Sequence, residues 1–236
     1  MQSSNKNYTY LRSKTATSAS FMSRVYFWMM AGILMSGVTA FVIASKPDLV
    51  VYLTQNRGVF FGLIIFQLIA VIALSAAVQR MSVALASAVF ALYATLTGAT
   101  FSVLFLAYSM QSIAQAFFVT AFAFAGLSGY GFVTKRDLGP IGSFCVMGLF
   151  GMMGVILLSF FIPALAGTSV QLSISVIGVL VFSGLTAYDT QRIKALQYQF
   201  ASEEQARKGA IQGALILYLD FINLFISILR LMGDRR

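Results

Sequence analysis

Seven apolar runs, at about residues 25–45, 58–79, 83–108, 113–133, 141–163, 172–189 and 210–231, account for most of this chain. Each is close to the roughly 20 residues that a helix needs to cross about 30 Å of hydrocarbon. Within lipid a spanning segment must satisfy its own backbone N–H and C=O groups, which a helix does internally. The expected fold is therefore an all-α polytopic membrane protein with seven transmembrane helices. Only 10% of the 236 residues are charged, against about 25% in an ordinary soluble domain. No polar region is long enough to form a second core.

The connectors are mostly short: KPDLVVYLTQNR, RMS, SMQS, TKRDLGP and ALAGTSVQ, then the longer TQRIKALQYQFASEEQARKG. Short links make consecutive helices antiparallel and predict an up-and-down bundle. Residues 1–24, polar and without an acidic residue, are expected to form a flexible tail, and residues 25–236 one membrane domain.

Basic residues set the expected orientation. Lys6, Arg12, Lys14, Arg24, Arg80, Lys135, Arg136, Arg192, Lys194, Arg207 and Lys208 fall on the N-terminal side. Lys46, Arg57, Arg230, Arg235 and Arg236 fall on the other. The N-terminus is thus expected in the cytoplasm. A net charge of +9 suits connectors that meet anionic lipid headgroups of the bilayer. Its dispersal over many connectors speaks against nucleic acid as a partner.

The absence of His and the single Cys145 remove most transition-metal chemistry. Seven acidic residues leave room for a hard cation such as calcium, which takes oxygen ligands. No resident cofactor is expected. Asp48, Asp137, Glu203, Glu204 and Asp234 lie in connectors or at the end, so two carboxylates remain. Asp189 closes the sixth run in GLTAYDTQRIK, and Asp220 lies inside the seventh in LYLDFINLF.

An Asp at the centre of a bilayer helix costs about 2.5–3.5 kcal/mol on insertion scales, so it needs a partner, water or a task. Asp220 follows Ala210 by a helical rise of about 15 Å, near mid-bilayer. Gly213, Asn223 and Ser227 share its helix face, and Thr186 lies on the Asp189 face. Tyr93, Thr97 and Thr100 form a further polar stripe on the third segment. Antiparallel packing of the last two segments would bring Asp189 and Asp220 together. Two carboxylates in a low-dielectric site titrate as a coupled unit, so this pair is the expected pH sensor. Arg80 is a candidate latch for Asp189, with Arg192 as a local competitor. Ser202 and Gln205 read as a capping box at the start of the last helix.

GLTAYDTQRIK and LYLDFINLFISILRLMG, with QRMS after the second segment and TKRDL after the fourth, resemble the Bax inhibitor-1 family in its bacterial YccA-like branch. The resemblance implies a last helix that is central and wrapped by the others. It implies a pH-sensitive calcium leak of the bacterial inner membrane, gated by Asp189 and Asp220, with Arg80 latched to Asp189 in the closed form. Acid pH would favour the protonated, closed pair. It also implies an alternative role as modulator or substrate-like partner of a membrane-bound AAA+ protease, with the polar tail as a handle. An intramembrane aspartyl protease also carries a YD motif, matched by Tyr188 and Asp189. Asp220, however, sits in LYLDFIN where those proteases have GxGD, and Pro163–Ala164–Leu165 precedes both aspartates instead of following them. No enzymatic activity is expected.

Overall fold

The computed structural model describes residues 2–234, with side chains for residues 20–56 and 58–234. In chain order the helices are α1 (Gln2–Ala44), α2 (Pro47–Gln55), α3 (Arg57–Ala77), α4 (Val83–Phe101), α5 (Leu104–Ala107), α6 (Met110–Val133), α7 (Gly139–Ser159), α8 (Thr168–Leu196) and α9 (Glu203–Met232). Single 3-10 turns occupy Val78–Arg80, Pro163–Ala166 and Gln197–Gln199. Among the described residues seven helical segments are long and apolar enough to cross a membrane.

α1 includes helical backbone from Gln2, and its span begins at Ser20. The side chains of the first nineteen residues of the expected tail lie outside the described residues, as do Arg235 and Arg236 of the charge comparison.

α9 is the axis of the bundle. It packs against α1, α3, α4, α6 and α8, whereas α7 rests chiefly on α8. Leu215, Leu217, Tyr218, Leu224 and Leu229 are wholly or almost wholly enclosed. α9 starts where Ser202 caps it: the Gln205 N–H donates to Ser202 Oγ (3.2 Å), and Ala201 N–H donates to Gln205 Oε1 (2.9 Å). That is the expected capping box, with the return bond one residue earlier than in its usual form. At the far end the Asp234 N–H donates to Ser112 Oγ (3.1 Å). The helix thus runs without interruption from one face of the bundle to the other.

Two helices differ in detail from their apolar runs. The third run breaks at Ser102, where α4 ends and the short α5 follows; both pieces are apolar, so hydropathy alone hides the break. The sixth apolar run ends at Asp189, and its helix α8 continues past Arg192 to Leu196, which places Asp189 inside the helix instead of at its end. Its last two turns carry Gln191, Arg192 and Lys194, whose polarity ends the apolar run without ending the helix. The up-and-down order holds, but its neighbours interleave, with α8 packed on both α6 and α7. Gln191 pins the α6–α7 connector to α8: its Nε2 donates to Arg136 O (2.8 Å) and its Oε1 accepts from Leu138 N–H (3.0 Å).

Candidate functional site: a two-aspartate cavity

The α8–α9 register decides where the aspartates meet. A Cβ on Gly178 of α8 would stand 2.5 Å from Ser227 Oγ of α9, and one on Gly213 of α9 would stand 2.8 Å from Ile193 Cγ2 of α8. Glycine is needed at both places because the helices approach that closely. These two contacts define an antiparallel alignment in which Asp220 is level with Leu185. Asp189 then stands about one turn, roughly 5–6 Å, nearer the N-terminal side. Gly213, Asp220 and Ser227 recur at seven-residue intervals, which returns them to one helix face. That face is turned to α8.

Both carboxylates are buried, Asp189 at 8% exposure and Asp220 at 5%, and they act on each other electrostatically. They line one cavity of about 520 Å³ that fills the gap between α7 and α9 beside α8. Gly142 and Ser143 of α7, with Tyr188 and Arg192 of α8, form its N-terminal-side end. A Cβ on Gly142 would stand 2.5 Å from the Tyr188 ring, so the glycine is what lets that ring lie against α7. Leu149, Phe182 and Leu185 enclose the deeper part.

Asp220 Oδ2 is buried without a hydrogen-bond partner. A buried polar atom in that condition is costly and uncommon. The neighbouring polar groups do not relieve it, because the hydrogen bonds they donate run to their own helices. Asn223 Nδ2 donates to Leu219 O (2.8 Å), Ser227 Oγ to Asn223 O (2.8 Å) and Thr186 Oγ1 to Phe182 O (2.7 Å). Asn223 nevertheless lines the cavity.

Arg192 lines the cavity mouth and acts electrostatically on Asp189. Arg80 is elsewhere: it ends the 3-10 turn after α3 and is exposed. Among the described residues no ion pair joins Arg80 to either aspartate. Its neighbour Gln79 is held to α9, where Lys208 Nζ donates to Gln79 O (3.4 Å) while pairing with Glu204 (2.8 Å). Arg24 pairs with Glu203 on the same face.

A second polar cluster takes in Tyr93 and Thr97 of the polar stripe expected on the third segment. Tyr218 is fully buried, with its hydroxyl 2.6 Å from Ser36 Oγ and its ring edge-on to Tyr93. Ser36 Oγ also lies 2.7 Å from Ala94 O. Tyr218 is two residues from Asp220 and therefore on nearly the opposite face of α9. Tyr93 and Thr97 thus belong to a tie between α1, α4 and α9, away from the aspartate cavity. The stripe itself was readable, and the need of a buried tyrosine hydroxyl for a partner is the signal that could have added Tyr218.

The described residues contain no group of three or more His, Cys, Asp or Glu able to hold a metal ion. Two carboxylates fall short of the six to eight oxygens of a resident calcium site.

Residues 18–236 match the family described as Inhibitor of apoptosis-promoting Bax1. The inner membrane protein YbhL of Escherichia coli K12 is 43% identical over 218 residues, covering 92% of each chain. An uncharacterized protein of Deinococcus radiodurans is 41% identical over 215 residues, covering 91% of this chain and 90% of its own. An uncharacterized membrane protein of Streptococcus pyogenes is 34% identical over 215 residues, covering 90% and 92%. With seven membrane-length helices and a family match over nearly its whole length, the chain belongs to the Bax inhibitor-1 family of membrane proteins.

Proposed function

We propose that this protein is a pH-sensitive calcium leak of the bacterial inner membrane, gated by Asp189 and Asp220, with its N-terminus in the cytoplasm. One observation carries the reading: two buried carboxylates on the tightly packed α8 and α9 share a cavity, and Asp220 Oδ2 in it has no partner. A proton held between the two holds the helices together. Its loss leaves two like charges in a low-dielectric site and drives them apart. Calcium then passes as cargo along the carboxylates. Arg80 acts as the latch on Asp189 in the closed form, and its release accompanies deprotonation of the pair and opening of the path. Nothing in this scheme requires catalysis.

The test is calcium flux into proteoliposomes from about pH 5 to about pH 8, comparing the natural protein with Asp189→Asn and Asp220→Asn. A flux that rises with pH and that either substitution flattens is the expected result. Folded protein with no flux above empty liposomes would sink the leak. The role left standing would be that of a partner of a membrane-bound AAA+ protease, for which the acid-free polar stretch before α1 enters the membrane is the supporting feature.

A further inference from the structure

The largest cavity described is separate from the aspartates. A cleft of about 930 Å³ runs between α1 and α6, with Phe221 of α9 at its floor. α1 and α6 both rest on α9 and touch each other sparsely, with the Tyr26 hydroxyl 2.6 Å from Ser128 Oγ as a direct tie between them. The cleft extends along α1 from Met22 to Leu34, a rise of about 18 Å. That is close to one leaflet of a hydrocarbon core about 30 Å thick. Apart from Ser23, Tyr26 and Ser128, the side chains lining it are apolar, and several of them, among them Phe27, Met30 and Leu34, are exposed. The cleft lies wholly within the membrane-spanning parts of α1 and α6, so lipid is what surrounds it.

Its N-terminal-side end is basic. Val133, a lining residue, is followed directly by Thr134, Lys135 and Arg136. Both cations are exposed and neither has an ion-pair partner among the described residues. Lys194 of α8 reaches the same end: its Nζ donates to Phe132 O (2.7 Å) and lies 4.4 Å from the centre of the Phe132 ring. Asp137, the nearby carboxylate, is turned to the Gly139 N–H (2.8 Å). An apolar shaft one leaflet deep with three cations at its headgroup end is complementary in both shape and charge to an anionic lipid.

We infer that the α1–α6 cleft binds one anionic phospholipid of the N-terminal-side leaflet, with an acyl chain along α6 and the phosphate at Lys135, Arg136 and Lys194. Gly129 supplies a clean probe. It lines the cleft, and a Cβ there would meet nothing within 4 Å, so Gly129→Leu occupies the space without disturbing the backbone.

The experiment is native mass spectrometry of the full chain in a non-ionic detergent, with phosphatidylglycerol and phosphatidylcholine of matched acyl chains. The natural protein is expected to retain one phosphatidylglycerol with about tenfold preference. Gly129→Leu is expected to lose both lipids. Lys135→Gln with Arg136→Gln, outside the membrane and without consequence for folding, is expected to lose the preference alone. Equal retention of the two lipids by the natural protein, or unchanged retention by Gly129→Leu, would overturn the assignment.

Discussion

α3 and α9 are both apolar enough to cross a membrane, yet 11% of the most apolar window of α3 is buried, against 61% for α9. α3 is nearly uniform in its hydrophobicity: Ile65, Leu68, Ile69 and Ile72 all face outward. α9 carries Asp220, Asn223, Ser227, Tyr218 and Gly213 among its leucines. In lipid an apolar side chain gains nothing by turning inward, because hydrocarbon is as apolar as the protein interior. Polar and small residues do gain, through hydrogen bonds and close approach. In this bundle the less hydrophobic of the two helices is the central one.

Three pairs of substitutions sharpen or break that contrast, each read as thermal unfolding of purified protein in detergent. Leu217→Ala removes a side chain with no exposure, and the cavity left behind is expected to cost about 2–5 kcal/mol. Ile69→Ala on α3, 57% exposed, is expected to stay within about 0.5 kcal/mol. Equal losses at the two sites would mean that α3 has a packing partner absent from this structure. Gly213→Leu drives a side chain into Ile193 and Val25 and is expected to cost about 1–3 kcal/mol. Gly62→Leu, where an added Cβ meets nothing within 4 Å, is expected to be neutral or slightly stabilising. The smallest effect belongs to Tyr218→Phe, which removes the hydroxyl bonded to Ser36 while that serine still donates to Gly32 O (3.0 Å) or Ala94 O. About 1 kcal/mol is expected, against no change for Tyr52→Phe, whose ring is exposed. A larger loss at Tyr218 would mean that the α1–α4–α9 tie contributes more to holding α9 than its leucines do.

The spans were legible because each had to supply about 20 apolar residues in succession. The capping serine of α9 was legible because its chemistry is local. Asp189 and Asp220 stood out as carboxylates inside apolar runs, and the seven-residue spacing from Gly213 to Asp220 to Ser227 showed which face of α9 was turned inward. Less legible were the features that depend on what lies across a helix interface. The extent of α8 past Asp189 was not marked by hydropathy, because Gln191 and Lys194 end the apolar run while their side chains bind the connector and the end of α6. The break at Ser102 was hidden by apolar residues on both sides. Tyr93 and Thr97 were visible as a polar stripe, but their partner, on the face of α9 away from Asp220, followed only from the arrangement of α1 and α4 around it. Arg80 shows the same limit: its place at a helix end was readable, while the tie of its neighbour Gln79 to Lys208 was not.

The central position of α9 also orders the assembly of the protein in time. Ribosomes deliver helices to the membrane in chain order, and the helix on which α1, α3, α4, α6 and α8 all pack emerges after every one of them. Until it arrives, Ser36, Tyr93 and Thr97 face a vacant axis, and the α8 surface around Gly178 and Asp189 has nothing to lie against. Without it the earlier spans still form two packed groups, α1 and α3 with α4, and α6 and α7 with α8, and the arrival of α9 joins the two into one bundle. A chain stalled before residue 203 would carry six spans without the helix that joins their two groups, which makes the final stretch of synthesis the interval in which membrane quality control has most to recognise.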